Sequence, residues 1–185
     1  MSPNSIYTRL VRQSALLAVI LILTTAGGIA QSSPESLTAQ HAAMQKLAFL
    51  AGRWSGPVTI AQGPGDPVQL SQSEDVQFKL DGLVLLIQGQ STDAAGKVEF
   101  QALATIAYDD ATHSYRMRAY HAGHYIDTEL TALPDGFSWS FPAGPAKVVN
   151  TMHLTTKGQW QETSNVAFGS NPPRQSVDML LVHQP

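Results

Sequence analysis

The apolar positions of this chain follow two rhythms that change at Gly52. Before it, Leu37, His41, Met44, Leu47 and Ala48 recur at helical spacing. Ser33-Pro34-Glu35 supplies a helix start, with Ser33 as cap and Pro34 in the first turn, and Gly52 supplies a stop. After Gly52 the pattern alternates every second residue and is broken by turn signals. Val76, Phe78 and Leu80 share one phase, and Asp81-Gly82 reads as a tight hairpin. Leu83 to Gln90 runs back, and its nearly continuous apolar stretch Leu83–Ile87 suits a strand covered on both faces. Further turns are expected at Gly96, Asp109–Thr112, Ala122-Gly123, Pro134-Asp135-Gly136, Gly144-Pro145, Thr155–Gly158 and Gly169–Pro173.

These boundaries predict ten strands, over residues 54–60, 69–80, 83–91, 97–108, 113–121, 124–132, 137–141, 146–154, 159–168 and 174–183. Short connections imply antiparallel up-and-down order. Closing such a series removes its unpaired edges, so the expected fold is all-β: a ten-stranded barrel with one N-terminal helix capping an end. A barrel of that size has room for an internal cavity. An open two-sheet sandwich is the alternative.

Residues 1–30 change the compartment expected. Arg9 and Arg12 precede an apolar run from Ala15 to Thr24, and Gly28 and Ala30 fit a signal-peptidase site before Gln31. The run is shorter than the roughly 20 residues that span a bilayer. The expected organisation is a signal peptide over 1–30, a polar linker over 31–36 and one barrel domain over 37–185, exported to the periplasm or the exterior. Loss of the two arginines moves the formal charge from −3 to −5. A mildly acidic chain without basic clusters argues against a nucleic-acid partner or an anionic membrane surface. With no cysteine there is neither a disulfide framework nor a thiolate metal site.

The segment from Leu47 to Gly56 (LAFLAGRWSG) resembles the opening of calycin-type barrels, where a short helix runs into G-x-W. The longer G-x-W-x-G is similar to nitrobindin-like haem-binding barrels. Together with Gln77–Ile87 and Tyr108–Tyr120, it most resembles a bacterial family of secreted lipocalin-like proteins of unknown function. That likeness implies a barrel with Trp54 plugging its base, the indole N–H reaching a carbonyl. Nitrobindin-like proteins hold haem through a histidine in the last strand. Here Arg174–Val182 contains none, and His183 is the third residue from the end. No cofactor is therefore expected, and His153 is the least poor haem-ligand candidate.

Arg116, Arg118 and Tyr120 alternate on one strand face, opposite Tyr115, Met117 and Ala119. Facing a cavity, two guanidiniums and a phenol would hold an acidic head group; facing outward, they would be a wet wall. Phe137, Trp139 and Phe141 form an aromatic stripe that would line an apolar pocket or fill a core. His121 and His124, with Asp127 near, flank a turn but lack a fourth metal ligand. Asp75, Asp127, Glu129 and Glu162 are carboxylates that nothing in the sequence brings together. No H-E-x-x-H, G-x-S-x-G, P-loop or dinucleotide fingerprint occurs. The leading expectation is a non-enzymatic protein binding a small apolar or amphipathic acidic ligand through Arg116, Arg118, Tyr120, Trp139, Phe137, Phe141 and Trp54. A partner-binding domain without ligand and a nitrobindin-type haem protein or enzyme remain the alternatives.

Overall fold

A computed structural model describes residues 33–61, 63 and 65–185. The expected signal peptide lies outside the described residues. Helix α1 (Pro34–Gln45) leads through a 3-10 turn (Ala48–Leu50) into ten strands: β1 (Gly52–Ile60), β2 (Val68–Lys79), β3 (Val84–Thr92), β4 (Val98–Asp109), β5 (Ser114–His121), β6 (His124–Leu133), β7 (Gly136–Ala143), β8 (Ala146–Leu154), β9 (Trp160–Phe168) and β10 (Arg174–His183). Consecutive strands pair antiparallel, and β1 pairs β10, so the sheet closes into a barrel. Among the described residues no helix is long and apolar enough to cross a membrane.

The helix begins within the stretch expected to be linker. Ser33 Oγ accepts from the Ser36 N–H at 3.1 Å, and Pro34 follows in the first turn. It also stops earlier than Gly52, at Gln45, because the chain must tighten to turn Leu47 and Leu50 inward with Met44. The Asp81-Gly82 hairpin differs too. Leu80, Asp81 and Gly82 all take positive φ, and β2 and β3 rejoin at Lys79–Val84, so the connection holds four residues rather than two.

Alternate residues point inward. Met44, Leu47 and Leu50 close one end, packing with Val76, Leu85, Ile106, Met152, Trp160 and Leu181. Trp54 sits on this floor as the motif implied: its Nε1–H donates to Leu50 O at 2.8 Å, and its ring meets Trp160 and His183 edge-on. Tyr115 Oη donates to Ala43 O at 2.7 Å and ties α1 to the barrel. Gly56 is required where β1 crosses β10, since a Cβ there would lie 2.1 Å from Leu180 O.

Candidate functional site in the barrel interior

Above the apolar floor the inner wall turns polar. On β2 the inward series is Leu70, Gln72, Glu74, Val76; on β9 it is Trp160, Glu162, Ser164. Ser91 on β3 and Asn150 on β8 join the same belt. Three bonded groups result. Ser91 Oγ donates to Gln72 Oε1, and Gln72 Nε2 donates to Glu74 Oε1 at 2.7 Å. Across the barrel Ser164 Oγ donates to Asn150 Oδ1, and Trp160 Nε1 donates to Glu162 Oε2 at 3.1 Å. The first group fixes the Gln72 amide, with its oxygen toward Ser91 and its nitrogen toward the carboxyl.

The two carboxyls are held close enough to feel each other. Burial pushes Glu74 up to about 8, the charge of Glu162 adds to the rise, and the Gln72 bond only partly offsets it. Burial likewise raises Glu162 to about 7, against the lowering effect of the Trp160 bond. Removing a carboxylate from water without a cation disfavours its charged form. Gly89 faces Glu74 across the β2–β3 ladder and leaves space for it: a Cβ would lie 2.7 Å from both carboxyl oxygens. Around the belt Ile126, Thr128, Trp139, Phe141 and Val148 are half-buried on the inner wall. That wall therefore bounds space that water reaches, with an aromatic side on β7 and an acidic side on β2 and β9.

The arginine set is a correction to the sequence expectation. Tyr115 and Met117 are buried inside, so alternation sends Arg116, Arg118 and Tyr120 to the outer face. Arg118 makes two bonds to Asp127 on β6, at 3.0 and 2.5 Å, and lies 5.1 Å from the Tyr125 ring centroid. Arg116 meets Glu129 at 3.7 Å, and both arginine side chains are about half exposed, at 52% and 49%. Tyr120 is 43% exposed. All three side chains point away from the interior and are out of reach of a head group there.

Phe137, Trp139 and Phe141 do face inward. Phe137 is buried at the capped end, 5.5 Å from the Trp139 ring, while Trp139 and Phe141 line the open part. Trp54 is committed to the floor by its bond and its packing. His153 alternates with buried Met152 and so faces outward, where it offers nothing to a haem in the interior. His183 ends β10 at the capped end, its ring over Gly52. His121 and His124 flank the β5–β6 turn at the opposite rim, as expected, with His121 stacked on Phe100. Among the described residues no cluster of three metal-ligating side chains forms. The polar belt presents carboxyl, amide and hydroxyl groups and no imidazole.

Sequence reasoning missed Glu74 and had no partner for Glu162. The signal was phase: Gln72 and Glu74 occupy the same parity as Leu70, Val76 and Phe78, as Glu162 does with Trp160.

No family model and no curated protein matches the sequence. Among solved structures, the crystal structure of Rv2717c from M. tuberculosis is similar to this chain with a TM-score of 0.58 at 12% identity. The match covers 77% of this chain and 98% of that one. At that identity the likeness concerns the fold.

Proposed function

We propose that this barrel is an exported, non-enzymatic binding protein that holds a small amphipathic molecule in its interior. The observation that carries the reading is the polar belt: two raised carboxyls among amide and hydroxyl groups on a partly accessible inner wall. Glu74 and Glu162 each have one oxygen bonded to a protein donor. The rest of each group is available to a ligand that donates hydrogen bonds. The Trp139 and Phe141 side of the wall would take the apolar part.

The head group this wall suits is neutral or basic, such as an alcohol or an amine. An acid would set its negative charge beside Glu74 and Glu162 and oppose their ionisation further, while the arginines that would offset it lie outside. Binding of an amine would pull protons off the pair, because a nearby cation favours the carboxylate form.

The test uses a neutral fluorescent arylamine, N-phenyl-1-naphthylamine, as probe. Glu74→Gln and Glu162→Gln are each expected to change its Kd by about tenfold, the scale of one buried hydrogen bond. Replacing both Arg116 and Arg118 by Ala is expected to leave Kd within twofold. Probe affinity that follows the arginines and ignores both glutamates would defeat the reading.

A further inference from the structure

The barrel is closed, but its seams are not equal. Between β6 and β7 the register pairs are Thr131 with Ser138, Ala132 with Phe137 and Leu133 with Gly136, all beside the connecting turn. From there toward the open rim the two strands run on without a ladder, although each is paired along its other edge, β6 with β5 through His124 and β7 with β8 through Ala143. The neighbouring seams on either side, β5–β6 and β7–β8, are paired along their length. In the open stretch a side chain substitutes for the ladder: Thr128 Oγ1 donates to Ser140 O at 2.9 Å. Pro142 lies in the same stretch and has no N–H to offer, which suits an edge and not an interior strand.

The inner flank of this opening is apolar. Ile126 on β6 and Trp139 and Phe141 on β7 are half-buried there, beside the space that reaches the polar belt. Passage through any laddered seam would break a row of backbone bonds. Passage here requires only that the Thr128 bond give way and the two strands part slightly.

We propose that the unladdered half of the β6–β7 seam is a lateral portal, through which a small amphipathic molecule reaches the belt at Glu74 and Glu162. The portal rests on the reading of the interior as a ligand site. Its chemistry selects for a flat or slender apolar group, since Ile126, Trp139 and Phe141 form its inner lip. Its outer lip carries residues of opposite parity, Glu129 and Ser140 among them.

The chain has no cysteine, so introduced pairs react without competition. Extending the β6–β7 register places residues 129 and 140 opposite each other on the outer face, away from the ligand space. Glu129→Cys with Ser140→Cys, joined by a short thiol cross-linker, would clamp the seam. Thr151→Cys with Thr163→Cys, a paired position on the outer face of β8–β9, is the control clamp. Each double variant before cross-linking is its own reference, so a folding defect would show there. Stopped-flow uptake of N-phenyl-1-naphthylamine is expected to slow tenfold or more in both directions when β6–β7 is clamped, with Kd within threefold. The control clamp is expected to leave both rates unchanged. Unaltered rates in the β6–β7 clamp, with binding intact, would overturn the portal and direct entry to the open rim. Failure of the unmodified protein to take up any probe would overturn the proposed function, and the portal with it.

Discussion

At the scale of single residues, Glu74 and Glu162 make the least comfortable contribution to the fold and the most informative one. Each has a folded-state pKa raised above its ordinary value, to about 8 and about 7. The folded protein therefore binds more protons than the unfolded chain across the interval from about 4.5 upward, and stability falls as pH rises through that interval. The contribution is fully present below pH 4.5 and is lost above pH 8. At about 1.4 kcal/mol per pKa unit, each carboxyl costs roughly 3–5 kcal/mol when forced to ionise in place. Gln keeps the shape and cannot ionise. Urea denaturation is expected to find Glu74→Gln and Glu162→Gln more stable than the parent at pH 9 and equal to it at pH 4. The two gains are not additive, since relieving one carboxyl lowers the other. Arg118 is the opposite case. Its pair with Asp127 is solvent-exposed, so Arg118→Ala is expected to leave the urea midpoint nearly unchanged.

At the scale of elements, the helix and the floor are joined by a few identifiable bonds. Tyr115→Phe deletes the Oη donor that holds Ala43 O and leaves a buried carbonyl short of a partner. The expected cost is about 1–3 kcal/mol, with faster amide exchange in α1 than in the strands. Trp54→Phe removes the bond to Leu50 O and part of the floor, and is expected to cost at least as much.

The strands themselves were legible from period-two alternation and turn residues, and several bounds agree to the residue, as in Ala146–Leu154 and Arg174–His183. Strand phase was harder. Where one face of a strand is strongly apolar, as with Phe137, Trp139 and Phe141, the pattern says which side is buried. In β5 both faces carry large side chains, Tyr115 and Met117 on one and Arg116, Arg118 and Tyr120 on the other. Their orientation is decided by partners outside the strand, namely Asp127 and Glu129 on the next strand and the floor. Glu74 was hidden for a related reason. A carboxylate between Ser73 and Asp75 reads as part of a wet stretch, and only its parity with Val76 and Phe78 places it inside. The Leu80–Gly82 turn shows a local limit, because the Asp-Gly signal is right about positive φ and silent about Leu80 joining it.

At the scale of the molecule, the barrel separates two chemistries by depth. The capped end is an apolar floor built from α1, the 3-10 turn and inward residues of all ten strands. The middle carries carboxyls and amides, and the far part is aromatic and reached by water. The arrangement suits the binding chamber proposed above, with burial favouring the protonated form of its two acidic groups.

The most direct test of that account is native mass spectrometry of the protein purified from the cells that make it, alongside the Glu74→Gln/Glu162→Gln double variant prepared in the same way. The account predicts a bound mass on the parent that leaves on denaturation, belongs to a small neutral or basic amphipathic molecule, and is depleted in the double variant. An acidic molecule retained equally by both proteins would contradict it.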